Sequence, residues 1–380
     1  MTWPTGDSRV LQFGTGRFVR GFFEPLVSRP KSITVLQSRP AQGGANAINE
    51  LEDGYHLWVR GIWQGQEVDQ VETIRSLDQA YSLTSQWPTV LQLATDPNYQ
   101  LLISNTTEKG LVLEEADAHS TDWLESPPAS FPARLLAWLY QRYTTSGQPI
   151  TVMPLELIEF NAERLRELLK QQADLWEETR SAEFQAWLFQ QCRWLSTLVD
   201  RICVDPVPPT PWETEDPLAV MTEPFRMLAI ADDGGDRSVV PDDPSVIWTD
   251  DLRPYFLQKV RLLNGLHTAI VAKCLPLGFE HVIDVMNDPE QEKWVLQLMY
   301  GELVPTLEAQ GLQVKSFADA VIERFRNPFF KHRLSDIAFG HETKLQVRLQ
   351  PTLEEHKQYL GTDAPILEAV MAMPLPVVSP

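Results

Sequence analysis

The chain is poor in cysteine, in positive charge and in long apolar runs, and each shortage argues against a class of protein. Its three cysteines (Cys192, Cys203, Cys274) show no CxxC pairing, which argues against a disulfide scaffold or a zinc knuckle and predicts reduced core residues. Against 52 Asp and Glu stand 32 Lys and Arg, a formal net charge of −20. A chain this acidic repels phosphate backbones and anionic lipid, so neither nucleic acid nor a membrane surface is expected as a partner. No stretch approaches the roughly 18 uninterrupted apolar residues that a spanning helix needs. The opening MTWPTGDSRVLQFG has no basic segment ahead of an apolar one, so no secretory leader is expected. With 43% apolar and 22% charged residues, the composition is that of a globular protein, and together with the reduced cysteines it predicts a soluble, cytoplasmic one. At roughly 150 residues per domain its length predicts at least two domains.

Apolar runs at residues 10–13, 32–36, 57–62, 101–104 and 150–153 predict strands, and helical spacing marks 18–26 and 132–143 between them. Strands alternating with helices predict a mostly parallel α/β sheet. Residues 162–201 read as helical with a break near Ser181. Two loops follow, 205–217 with five prolines and 232–244 rich in Asp, Gly and Pro, and the second is the expected domain boundary. From residue 250 to about 349 the pattern is helical, with an irregular tail from 371. The resulting division is residues 1–246 and 247–380.

Two further absences concern chemistry. The turn Gly14-Thr15-Gly16-Arg17-Phe18-Val19 sits after the first strand and at a helix start, where a dinucleotide-binding turn belongs, yet the third glycine of GxGxxG is replaced by Val19. The second strand ends Leu36-Gln37-Ser38-Arg39 without the acid that usually holds the adenosine ribose, and Arg39 favours a 2′-phosphate if it is more than a solvated loop charge. On these residues alone NADP is slightly preferred.

The most informative segment is KVRLLNGLHTAI, from Lys259 to Ile270. At about 100° per residue, Leu262, Leu263, Leu266 and Ile270 gather around Lys259, which makes it a lysine in an apolar stripe and a general-base candidate. Asn264 and His267 share one flank. Taken singly, Asn264 is also read as a helix kink or cap beside Gly265, and His267 as a core histidine.

These motifs resemble the long-chain polyol dehydrogenase (mannitol dehydrogenase) family, and within it the reductases of keto sugar acids. The resemblance runs through LQFGTGRFVRGF, DGYHLWVRG, SNTTEKG, PLELIEFN, LVDRI, Glu223-Pro224-Phe225, KVRLLNGLHTA and RFRNPFFKHRLSDIA, in order. It implies a Rossmann-type N-terminal domain, a mostly α-helical C-terminal substrate domain, and metal-free hydride transfer with NAD. Lys259 would then move the proton, Asn161 and Asn264 polarise the carbonyl, and His267 bind substrate, with Asp200 as a supporting acid. Gly14, Gly16, Arg17, Phe18, Arg39 and Asn105 would line the cofactor. Asn161 also reads as a helix N-cap, Asp200 as a charge at a helix end, and Asn105 as a turn residue.

The resemblance weakens after residue 338, where Lys344 is retained but its neighbours differ, and the chain stops about a hundred residues short of the uronate reductases, a shortened C-terminal domain. Arg324 and Lys344 are the expected contacts for a substrate carboxylate, in a segment where six Lys and Arg face two acids. The reading is reversible reduction of a keto sugar acid. A mannitol-type polyol dehydrogenase is the alternative enzyme, and a catalytically idle nucleotide-binding or sensing protein the alternative of another class.

Overall fold

The computed structural model describes residues 3–38, 44–106, 110–118, 123–212 and 215–375. The chain forms two compact units. Unit 1 comprises Met1–Val59, Gln70–Thr222 and Arg226–Leu252, and unit 2 comprises Arg60–Asp69, Glu223–Phe225 and Arg253–Pro380.

Unit 1 contains β1 (Arg9–Phe13), α1 (Arg17–Phe22), β2 (Ile33–Gln37), α2 (Ala45–Asn49), β3 (Tyr55–Trp63), β4 (Gln66–Ile74), β5 (Leu77–Ser82), α3 (Trp87–Leu93) and β6 (Tyr99–Ser104). It continues with α4 (Phe131–Thr144), β7 (Thr151–Pro154), α5 (Asn161–Leu175), α6 (Ala182–Ala186), β8 (Arg193–Trp194), β9 (Thr197–Asp200), β10 (Cys203–Val204), β11 (Val220–Thr222), β12 (Met227–Ala231) and β13 (Val246–Thr249). Six parallel strands in the order β5-β2-β1-β6-β7-β8 make the main sheet. Sheet order reverses between β1 and β6, the topological switch point of a Rossmann-like fold. β2 is buried along its whole length, so apolar residues occur on both faces of the strand instead of alternating with exposed ones. On one side α4 and α5 pack around Leu136, Trp138, Leu165 and Trp176. Ser130 caps α4 by accepting from the Ala133 amide at 3.3 Å.

Three expectations need correction here. The segment 162–201 is helical only in α5, α6 and a π-turn at Trp187–Gln191, after which β8 and β9 follow. Short apolar runs such as TLVD do not distinguish helix from strand by periodicity. The loop 232–244 is not the boundary, because β13 beyond it pairs in parallel with β12 and keeps the loop inside unit 1. The division therefore falls after Leu252, and unit 2 also takes Arg60–Asp69 of the β3–β4 hairpin.

Unit 2 is otherwise helical: α7 (Arg253–Leu257), a π-helical turn (Gln258–Asn264), α8 (Gly265–Cys274), α9 (Val282–Asn287), α10 (Pro289–Leu298), α11 (Val304–Glu308), α12 (Lys315–Phe325), α13 (Leu334–Ala338), α14 (His341–Lys344), α15 (Gln350–Leu360) and α16 (Pro365–Met371). Its core surrounds α8, where Leu266, Ala269, Ile270 and Val271 are fully buried. Among the described residues no helix is long and apolar enough to cross a membrane.

Candidate active site

Within unit 1 the switch point brings Gly14 and Asn105 together. Gly14 has φ +115°, and a Cβ there would stand 3.0 Å from the Asn105 carbonyl oxygen, so both backbone conformation and space select glycine. At Gly16 a Cβ would meet nothing within 4 Å, which leaves open space beside the turn. Arg17 pairs with Asp205 at 2.7 Å near the surface, and Phe18 stacks on Phe22 at 4.7 Å. Val19 replaces the third glycine of the fingerprint, but the close packing that glycine allows occurs at Gly21. A Cβ there would lie 2.6 Å from Thr222 and 2.7 Å from Cys203.

The loop after β6 is held by a carboxylate that the sequence motif contained but did not single out. Glu156 accepts from the Thr106 amide at 2.8 Å and the Ser104 hydroxyl at 3.1 Å, while Asn105 donates to the Leu155 carbonyl at 3.0 Å. Burial pushes the Glu156 carboxyl up, and the hydrogen bonds from Thr106 and Ser104 oppose that shift.

At the ends of β2 and β5 lies a polar cavity of about 780 Å³, lined by residues including Gln37, Asn46, Asn49, Glu50 and Ser82. Gln37 occupies the ribose-acid position and accepts from the Ala45 amide at 2.8 Å. The described lining residues include no Lys or Arg. Arg39 lies outside the described residues.

Two expected site residues of unit 1 have different tasks. Asn161 is 0% exposed. Its amide donates to the Pro154 and Glu156 carbonyls and the Thr197 hydroxyl at 2.9–3.0 Å, and its oxygen accepts from the Thr197 amide at 3.0 Å. Both amide hydrogens are already donated, so the geometry ties the end of β7 to β9 instead of presenting an oxyanion donor. Nor is Asn161 an N-cap: it is the first helical residue, after Phe160 at φ 52°. Asp200 is not a surface charge at a helix end but the buried last residue of β9, opposite Met227.

Within unit 2, Lys259 and Asn264 both lie on the π-turn, which alters the phase assumed from the sequence. In an α-helix residues five apart differ by about 140° in direction. The i→i+5 bonding of a π-turn brings such residues back toward one face. Lys259 is 8% exposed, among Leu262 and Leu263. The Asn264 side chain makes no cap and no hydrogen bond to another described residue, so the cap reading is set aside.

His267, on α8, packs on Phe325 at 4.3 Å between ring centroids. Burial first, then His332, Arg324 and Arg348, hold its pKa well below the usual imidazole value, so the ring is neutral at pH 7. The ring bonds to the Leu263 backbone, and its buried Nε2 has no partner among the described residues.

The basic segment behaves unevenly. Arg324 is turned inward: its side chain and that of Glu223 are 3% and 1% exposed, joined by two hydrogen bonds of 2.8 and 2.7 Å, with the guanidinium 4.4 Å above the Phe225 ring. That bidentate pair corrects the expectation of Arg324 as a substrate contact. Lys344 is half-buried and donates to the Ile337 carbonyl at 2.7 Å. Burial, then Arg348, lowers its pKa.

Arg348, which the charge count included but did not single out, reaches α8. Its Nη1 lies 3.3 Å from the Thr268 hydroxyl and 3.5 Å from the Asn264 carbonyl. Gly265 permits this approach, since a Cβ there would meet Leu349 at 3.2 Å. Unit 2 thus gathers a buried lysine, an unengaged amide, a neutral imidazole and an arginine along one helix.

This combination of a Rossmann-like sheet and a lysine-bearing helical unit defines a class, the dehydrogenases acting on CH–OH groups. The chain belongs to the mannitol dehydrogenase family: residues 8–238 match the mannitol dehydrogenase Rossmann domain and residues 251–375 the mannitol dehydrogenase C-terminal domain. Similar curated proteins are the altronate oxidoreductases of Halalkalibacterium halodurans (32% identical, 93% of this chain and 72% of that protein) and Bacillus subtilis (32%, 93% and 76%). Among solved structures, D-sorbitol dehydrogenase in substrate-free form superposes with TM-score 0.71 at 20% identity, covering 92% of this chain and 77% of that one. Mannitol 2-dehydrogenase from Pseudomonas fluorescens, a ternary complex with NAD and D-mannitol, gives 0.70 at 19%, covering 98% and 79%.

Proposed function

We propose that the protein reversibly reduces a keto sugar acid of the tagaturonate type to its hydroxy acid, with NAD(H) as the cofactor. The turn fits a dinucleotide: Gly14, at φ +115°, packs against the Asn105 backbone, and the open space at Gly16 leaves room for a ligand to approach the main chain. The Gln37 cavity, with Glu50 among its lining residues, favours an unphosphorylated ribose. The cofactor, when bound, supplies or accepts the hydride. Lys259 gives its Nζ proton to the carbonyl oxygen during reduction and takes it back during oxidation. Asn264 donates its amide to that oxygen. His267, neutral, accepts a substrate hydroxyl at Nε2.

The observation that carries the acid substrate is Arg348 Nη1, 3.3 Å from the Thr268 hydroxyl on the helix of His267, with Lys344 one turn away. A cation–carboxylate hydrogen bond contributes about 1.5–3 kcal/mol, or roughly tenfold to a hundredfold in affinity. NADH oxidation with tagaturonate and with fructose tests the reading. Arg348→Gln and Lys344→Ala should raise KM for the uronate about tenfold or more and leave that for fructose within about twofold. Equal wild-type efficiency on both, or an equal effect of the variants on both, would favour a polyol dehydrogenase. NADPH outperforming NADH in kcat/KM would overturn the cofactor choice.

A further inference from the structure

A buried polar network in unit 1 holds the glycine turn from behind. Gln12, fully buried on β1, donates through Nε2 to the Gly14 carbonyl at 3.0 Å and to Glu24 at 2.8 Å. Arg20, buried on α1, donates through Nη1 to the Thr15 carbonyl and through Nε to the Leu218 carbonyl at 2.9 Å. Tyr55 closes the network, its hydroxyl standing 2.7 Å from both Glu24 and the Arg20 carbonyl. Two successive carbonyls of the turn are therefore drawn toward the interior.

In a trans peptide the C=O of one residue and the N–H of the next point in opposite directions. Drawing in the Gly14 carbonyl turns the Thr15 N–H outward, and drawing in the Thr15 carbonyl does the same for Gly16. Neither amide donates to another described residue. We infer that Gln12 and Arg20 are positioning residues, which aim the Thr15 and Gly16 amides at the pyrophosphate of the dinucleotide by holding the carbonyls behind them. The inference rests on the cofactor reading above and adds two buried residues that need not touch the ligand.

Calorimetric titration with ADP-ribose and with adenosine separates positioning from loosening, because only ADP-ribose carries the pyrophosphate. Arg20→Met and Gln12→Met should each weaken ADP-ribose about tenfold while adenosine changes less than about twofold. Arg20→Lys, which keeps a donor, should recover part of the loss. Gln12→Met is the milder change and alters no charge. If it binds ADP-ribose like the wild type while Arg20→Met does not, the arginine acts by charge and the clamp is overturned. Equal losses for both ligands would reduce the network to a structural role and overturn it too. A wild-type protein that binds no ADP-ribose would instead sink the cofactor reading itself.

Discussion

Lys259 stands out from its sequence neighbours because a lysine among leucines is rare enough to demand a reason. Its burial at 8% exposure keeps that demand in place. Lys259→Ala should lower kcat by about 10²–10⁴, the usual range for a lost general acid–base group, while NADH fluorescence titration shows unchanged cofactor affinity. Lys259→Met, which keeps the length of the side chain, gives the same test without opening a cavity. Near-wild-type kcat/KM in either variant would remove Lys259 from the mechanism. Arg324 teaches the opposite lesson. Nothing in RFRNPFF distinguishes an arginine facing a ligand from one facing Glu223, because their separation of 101 residues is erased only by folding.

At the scale of elements, the π-turn and the Asn161 tie were beyond reach of pattern reading. KVRLLN fits a 3.6-residue period, and no local signal marks the switch to i→i+5 bonding. The motif around Asn161 carries no sign that the carbonyls occupying its amide come from the end of β7 and the loop after it. Asn161→Ala should therefore destabilise unit 1 by about 3 kcal/mol in urea unfolding, since it leaves buried carbonyls unpaired and opens a small cavity. A variant of unchanged stability but sharply reduced kcat would restore the carbonyl-polarising role. Four strands of the main sheet, β1, β2, β6 and β7, were legible because burial favours apolar runs, whereas the partly exposed β5 and the two-residue β8 offer none. β4, exposed along most of its length, offers no such run.

Across the whole molecule, acid should act first on unit 2, where His267, His332 and His341 are all held below the ordinary imidazole pKa, mainly by burial. For His332 the value is pushed down to about 4, with Arg324 adding to burial. A depressed folded pKa means that the unfolded chain binds the proton first as pH falls. The stabilising contribution is thus complete above about pH 6.5 and is lost on descending toward about 4. Between pH 6.5 and pH 5 this group alone should cost about 2 kcal/mol. Hydrogen exchange followed across that range should show protection lost first in α8 and α12, and His332→Gln should reduce the slope. Uniform loss across both units would contradict this assignment.

By itself the sequence determined the class of fold, the helical character of the second unit, the family, and the Lys-Asn-His segment. These are properties of local periodicity and of ordered motifs, which need no knowledge of distant contacts. Only the tertiary structure decided which way each polar side chain turns. It paired Arg324 with Glu223, occupied the Asn161 amide, placed Arg348 against α8 and put Gln12 and Arg20 behind the glycine turn. A buried donor must find an acceptor wherever the fold supplies one, and the chain separation between the two carries no trace of the pairing.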